Sequence, residues 1–377
     1  MDIVTGGPVR IDRVEFISVD VTDRTTWTHA LFKDTDGVEA LVEISSGEVV
    51  DQVASLVSIL GEQNATSEDE IPARLGLDEA SLRTDRSLGT SVSALRTAAV
   101  QIDAVRRDLW LTEALGGTPQ DSVELYANIN RALFATDRSP AAFASVADRA
   151  ARAGFGIFKC APFDEATSSD TTIDTARAGL ERVAAVRRAI GPEARLLVDC
   201  HSRFRADTAP MIARELSGFD VAWLEEPVQP TSAPDELARI ASQVDMPVAG
   251  GESGYGTAFF DELVASSATA IIMPDAKYCG GVAEAVQAGR RAVAAGAGFS
   301  LHCPSGPVSL LASGHVTAAV EGAMPLEHAV YEAEWRADLL EPPERVEAGR
   351  LWFPGGPGLG AVLNDRLISK YGCRWKP

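Results

Sequence analysis

Six side chains able to carry a proton or bind a metal stand at the ends of successive apolar runs. They are Asp199, Glu225, Glu252, Asp275, His302 and Glu327, separated by 26, 27, 23, 27 and 25 residues. Each interval has room for one strand, one helix and two short loops. An acid or a histidine at the C-terminal end of each strand describes a (β/α) barrel with its site on the usual face. Carboxylates brought that close together require a cation. Asp199, Glu225 and Glu252 end three consecutive strands and supply hard oxygen ligands with no thiolate or imidazole, which suits Mg²⁺ better than Zn²⁺. Glu226 adjoins Glu225 and is expected on the other side of the strand. Asp275 and His302 end the next two strands. A carboxylate touching an imidazole would fix its tautomer and raise its basicity, as a general base needs.

The elements that must position these residues can be counted. Strand one is read at Val123–Ile129 and strand two at Gly156–Ala161. Strands three to eight are the six apolar runs, with helices between them, including Pro140–Ala153 behind a Ser139 N-cap and Ile173–Ile190. Eight strands close a barrel. Residues 1–123 do not keep this beat. They read as three strands, with a turn at Asp36-Gly37, followed by helices at Val49–Leu60 and Val92–Leu115. The expected architecture is α/β: an α+β capping domain over 1–123, a barrel over 124–350, and a segment over 351–377 that returns to the capping domain.

The bulk properties narrow the function. The chain has 377 residues and a net charge of −20. That charge argues against nucleic acid and anionic membranes, and no apolar stretch is long enough to span a bilayer. The first residues carry no basic, apolar leader, and five scattered cysteines form no CxxC, so a cytoplasmic protein with reduced thiols is expected.

Four motifs now carry a resemblance: Leu224-Glu225-Glu226-Pro227-Val228, Ala249-Gly250-Gly251-Glu252-Ser253, the run from Met273 to Gly281, and Pro357-Gly358-Leu359-Gly360. Nearly the whole chain resembles the enolase superfamily, mandelate racemase subgroup. The resemblance implies one Mg²⁺ on Asp199, Glu225 and Glu252. It implies a His302–Asp275 dyad that removes the proton α to a carboxylate, giving an enediolate. It also implies that Glu327 hydrogen-bonds the carboxylate as it becomes the enediolate, and that the subunits form a homo-oligomer.

Many relatives carry Lys-x-Lys on strand two. Here the second position is Ala161, which leaves Lys159 to bind the substrate carboxylate and removes the opposite-face base a racemase needs. Asp199-Cys200-His201-Ser202-Arg203 resembles the acid-sugar dehydratases similar to galactonate dehydratase, in which this histidine protonates a departing β-hydroxyl. His201 has the parity of Asp199 and should face the site.

Two capping-domain segments, Val19–Thr28 and Ser45–Val50, are expected to close over the barrel mouth. Arg24, Trp27, Arg203, Asn128 and Asn130 are candidate contacts to a polyhydroxylated substrate. The expected activity is Mg²⁺-dependent dehydration of an aldonic or aldaric acid to a 2-keto-3-deoxy acid. The alternatives are a cycloisomerase or epimerase working through the same enediolate, and a non-catalytic metal-binding barrel.

Overall fold

The computed structural model describes residues 7–44, 49–133 and 137–377. Eight parallel strands line the barrel: Ser122–Asn128, Ile157–Cys160, Arg195–Asp199, Val221–Glu225, Val248–Gly250, Ile271–Ile272, Gly298–Phe299 and Leu326–Ala329. Strand eight pairs with strand one in parallel, Glu327 opposite Tyr126, which closes the ring. The seam between strands seven and eight is held by the Met324 amide donating to Phe299 O at 2.8 Å. The Ser300 hydroxyl adds a bond to Pro325 O at 2.9 Å.

Alternation along each strand sorts the side chains into two shells. Tyr126, Ile157, Leu197, Trp223, Ala249, Ile271 and Met273 point inward and fill the barrel. Their neighbours, such as Phe158, Cys160, Val198, Cys200 and Leu224, point outward and pack under the helices. Lys159, Asp199, Glu225 and Glu327 share the inward parity but sit higher, at the C-terminal mouth. The inner apolar plug is therefore the floor of the site.

Seven helices follow the first seven strands, from Pro140–Arg152 to Pro307–Ala319. Directly after strand eight a 3-10 turn, Arg336–Leu339, takes the place of a helix, and the helix Asp365–Tyr371 comes later. Helix boundaries fall where local chemistry stops or starts them. Ser139 accepts from the Ala142 amide ahead of Pro140, and Gly191, at φ 77°, ends Ile173–Ile190.

The N-terminal unit is a four-stranded antiparallel sheet against helices. Its strands Ile11–Thr22, Thr25–Asp34 and Glu39–Ile44 are joined by the chain's last strand, Gly372–Trp375, which pairs with the first. Both faces of this sheet are buried. Phe16, Ala30, Phe32 and Val42 pack on the unit's own helices, whereas Ile17, Val19, Trp27 and Leu41 join the barrel's outer core.

Two expectations change, and a third falls partly outside the described residues. Val19–Thr28 is not an open loop, because the first two strands run through it to a tight turn at Asp23–Arg24. Residues 45–48 of the second closing segment lie outside the described residues. The helix read as Val92–Leu115 begins earlier, at Arg86, where Asp85 accepts from the Leu88 amide. It ends at Arg106, and a separate turn, Leu111–Ala114, follows. The break falls at Asp108, which adopts φ 54° and cannot continue a right-handed helix.

Candidate active site

Lys159 is the centre of the barrel mouth. Its Nζ lies 2.7 Å from Glu225 Oε1 and 2.7 Å from Glu327 Oε1, and its side chain is 1% exposed. Burial works against its charge, but the carboxylates around it prevail and raise its pKa well above the ordinary lysine value. One lysine cannot neutralise two carboxylates. Glu327 takes the pairing: burial disfavours its ionisation, yet Lys159, His302 and the Cys303 amide hold its pKa below the usual value. Glu225 is left short of a cation. Burial, reinforced by Asp199, Glu327 and Glu252 against Lys159, lifts it to about 8. Its second oxygen accepts from Trp223 Nε1 at 3.1 Å.

Strand three brings Asp199 to the same mouth. His201, at φ 49°, turns back on it. The His201 amide donates to Asp199 Oδ1 at 2.8 Å, and its Nε2 lies 2.8 Å from Oδ2. Burial would raise the Asp199 pKa, but His201 and Lys159 bring it to about 2. In turn Asp199 lifts His201 to about 9. The His201 side chain is 46% exposed, so one edge of it faces the open mouth.

Strand five ends in Gly250-Gly251, both at positive φ, which folds Glu252 back towards the axis. Glu226 makes this turn. Its Oε1 accepts from the Gly251 amide at 2.9 Å and the Glu252 amide at 3.2 Å. A Cβ on Gly250 would lie 2.9 Å from Glu226 Cγ, so only glycine leaves room. The expectation for Glu226 assumed strand parity, but the residue adopts φ 37° and leaves the strand. Burial, then the Glu252 charge, raises Glu226 to about 8.

His302 lies against the carboxylates. Its Nδ1 is 3.0 Å from Asp275 Oδ2 and its Nε2 is 3.0 Å from Glu252 Oε2. Nδ1 donates to Asp275, so Nε2 is the nitrogen turned to the mouth, and while it faces Glu252 it holds a proton too. Burial opposes the imidazolium, but Glu252, Glu327 and Asp275 outweigh it and raise its pKa to about 10. Lys277, missed in the sequence, shares Asp275 at 3.5 Å and meets the Ser305 hydroxyl.

The other candidates are placed as follows. Asn128 is in the mouth, with its Nδ2 donating to Glu327 Oε1 at 2.6 Å. Asn130 accepts from the Ala161 amide at 2.6 Å, so it ties strand one to the loop after strand two. Arg203 does not meet the acids. Its Nη1 donates to the carbonyls of Asp164 and Ala166, both at 3.1 Å, and pins that loop. Trp27 is 3% exposed and packs edge-on against Trp335 with Arg336 over its ring. It is a docking residue between cap and barrel. Arg24 stands exposed at the hairpin turn. Glu327 accepts from Lys159, Asn128 and the Cys303 amide at once, which makes it the anchor of Lys159.

Six acids therefore gather at the mouth: Asp199, Glu225, Glu226, Glu252, Asp275 and Glu327. Among the described residues, no three His, Cys, Asp or Glu side chains stand around one point at ligating distance. Asp199, Glu225 and Glu252 each face a nitrogen instead: His201, Lys159 and His302 respectively. The donor chemistry nonetheless fits a hard dication. The oxygens come from three adjacent strands, and burial, reinforced by neighbouring carboxylates, raises Glu225 and Glu226, as expected where acids crowd together with too little cation. A cavity of about 1040 Å³ opens at the opposite rim, and none of the six strand-end residues lines it.

A closed barrel with acids at successive strand ends and a capping sheet completed by the C-terminal strand defines the fold class, a capped (β/α) barrel. Residues 142–367 match the model of the enolase C-terminal domain-like family, so the chain belongs to that family. Membership implies a divalent metal. The chain is 29% identical over 283 residues to a D-gluconate dehydratase from Thermoproteus tenax, covering 75% of this chain and 56% of that protein. It thus spans little more than half the length of that relative. It is 30% identical over 267 residues to a D-galactonate dehydratase from Xanthomonas campestris pv. campestris, covering 68% and 67% of the two chains. Among solved structures, a mandelate racemase/muconate lactonizing enzyme from Jannaschia sp. CCS1 superposes with a TM-score of 0.85 at 23% identity, covering 96% of this chain and 97% of that one. A mandelate racemase/muconate lactonizing enzyme-like protein from Roseovarius sp. TM1035 gives 0.84 at 22% identity, covering 96% and 95%. At these identities the two structures establish the fold.

Proposed function

We propose that the chain is a Mg²⁺-dependent hydro-lyase that removes water from an aldonic or aldaric acid to give a 2-keto-3-deoxy acid. The observation that carries this reading is His302 Nε2 at 3.0 Å from Glu252, with Nδ1 fixed by Asp275. A base is thereby aimed into the carboxylate mouth. The names of the relatives, dehydratases of gluconate, xylonate and galactonate, support the substrate class.

Asp199, Glu225 and Glu252 would hold the metal, releasing their contacts to His201, Lys159 and His302. When bound, the metal supplies positive charge to the substrate carboxylate and so acidifies the C2 proton. Lys159, freed from Glu225 but still held by Glu327, binds a carboxylate oxygen. Once Glu252 turns to the metal, Nε2 of His302 loses the charge that holds its proton and gives that proton to solvent; the neutral imidazole then takes the C2 proton, and Asp275 stabilises the imidazolium that forms. Nε2 of His201 gives its proton to the C3 hydroxyl, which leaves as water. The enol then ketonises. Ala161 puts no second base on strand two, so the product of a simple C2 inversion is disfavoured.

The test is incubation with Mg²⁺ and a panel of aldonic and aldaric acids, trapping 2-keto acids with semicarbazide. A product lighter by one water supports the reading. A product of unchanged mass points to isomerisation. Absence of both product and C2 deuterium exchange across the panel, with folded metal-loaded protein, would overturn it.

A further inference from the structure

His302 sits on a short loop between strand seven and the helix Pro307–Ala319, and nearly every residue of that loop is held from outside. The His302 amide donates to Pro274 O at 3.0 Å, from the neighbouring strand. The Cys303 amide donates to Glu327 Oε2 at 2.9 Å. Ser305 O accepts from Arg336 Nη1 at 2.6 Å, and its hydroxyl meets Lys277. The last anchor comes from the capping sheet. Glu43 Oε1 accepts from the Gly306 amide at 2.7 Å, and its Oε2 accepts from the Ser309 amide at 3.1 Å.

These two amides belong to the N-cap and the third position of the helix. Gly306 has no side chain with which to cap them. Glu43, more than 250 residues away in sequence, supplies the missing acceptor with both oxygens. The site is shaped for it. A Cβ on Gly306 would lie 2.7 Å from Glu43 Oε2 and 2.9 Å from Trp27 Cδ2. Gly306 has φ −70°, so the glycine is required for close approach and not for backbone freedom. Glu43 is 5% exposed, and its charge faces the helix N-terminus, where a carboxylate is favoured.

We propose that Glu43 is a positioning residue for His302: the capping domain sets the catalytic loop by capping, in trans across the domain junction, the helix that follows it. Trp27 completes the contact by filling the space beside Gly306. The catalytic consequence rests on the lyase reading given above; the structural consequence does not.

The experiment compares wild type with Glu43→Ala, Glu43→Gln and Gly306→Ala, all metal-loaded. Glu43→Ala leaves both amides unpaired, and kcat is expected to fall about 10–100-fold while KM stays within about threefold, since no group touching substrate is removed. Glu43→Gln keeps one acceptor oxygen and recovers part of the loss. Gly306→Ala pushes Glu43 and Trp27 away and reproduces it. In ¹⁵N-histidine spectra, the His302 signal, assigned by its absence in His302→Asn, is expected to shift or broaden in Glu43→Ala while the His315 signal stays in place. Unchanged kcat, or an unchanged His302 signal in folded Glu43→Ala, overturns the proposal. If Glu43→Ala fails to fold, Glu43→Gln and Gly306→Ala carry the same two readouts. If wild type turns over no acid sugar, the lyase reading fails, and the histidine spectra still decide the role of Glu43.

Discussion

Lys159 balances two carboxylates with one charge, and that imbalance can be measured. Lys159→Met leaves Glu225 and Glu327 facing each other, both buried. Breaking a buried ion pair from one side costs about 3–5 kcal/mol, so the urea midpoint at pH 7 should fall accordingly. Mg²⁺ should restore part of that loss, because a dication neutralises Glu225 independently of the lysine. Equal loss with and without Mg²⁺ would argue against Glu225 as a ligand. His302→Asn should lower kcat by about 10²–10⁴-fold and abolish C2 deuterium exchange while the metal still binds; exchange at the wild-type rate would remove His302 as the base. The residues at strand ends were readable because strand spacing and parity are local properties of sequence. Arg203 and Trp27 were not, because each is claimed by partners distant in sequence: two carbonyls on the loop after strand two for Arg203, and Trp335 with Arg336 for Trp27. Lys277 and Glu43 were missed for the same reason. Their chemistry depends on Ser305 for Lys277 and on Gly306 and Ser309 for Glu43, all on or beside the loop after strand seven.

At the level of elements, the barrel beat is legible because an acid or histidine recurs near the ends of strands three to eight at intervals of 23 to 27 residues, whereas the capping helix Arg86–Arg106 carries no such marks. Sixteen consecutive residues of that helix, from Gly89 to Ala104, are buried. A helix enclosed on all sides loses the one-sided apolar stripe by which its ends are found. One of its contacts explains the enclosure: Arg96 bridges Glu68 of the cap and Glu284 of the helix after strand six, at 2.8 and 2.9 Å. Close packing recurs where the cap's last helical turn meets the barrel. A Cβ on Gly117 would lie 2.5 Å from Ala319 Cα, and backbone cannot swing aside. Gly117→Ala should therefore cost about 1–3 kcal/mol, seen as a lower denaturant midpoint at unchanged m-value. An unchanged midpoint would mean that the two segments separate at little cost.

Across the whole molecule, the return of the tail to the capping domain is legible in the sequence, but its strand partner is not, since nothing local in Gly372–Trp375 names Phe16–Val19. The five histidines divide by environment in a way that global stability should report. His201 and His302 sit among acids and have raised pKa values. His29, His315 and His328 are fully buried, and desolvation lowers all three: it outweighs Glu43 at His29, is joined by Arg336 at His328, and brings His315 to about 4. His315 stacks on Phe353 at 4.5 Å, with its Nδ1 2.8 Å from Thr112 Oγ1. Folded, it stays neutral down to about pH 4; unfolded, it takes a proton near its ordinary value of 6.5. Between those limits the unfolded chain binds more protons, so stability falls as the pH is lowered, by up to about 1.4 kcal/mol per pH unit for each such histidine. Glu225 and Glu226, raised to about 8, oppose this slope above pH 4.5, because they hold their protons only when folded. The raised histidines add little below pH 6.5, where both folded and unfolded forms are protonated. The contribution of His315 is isolated by comparison with His315→Asn, which keeps a polar partner for Thr112 but does not titrate. Urea midpoints measured from pH 7 to pH 4 should run together above about pH 6.5, and below it the wild type should lose stability faster than the variant. Parallel curves would mean that His315 is already charged in the fold, and that its pocket admits water.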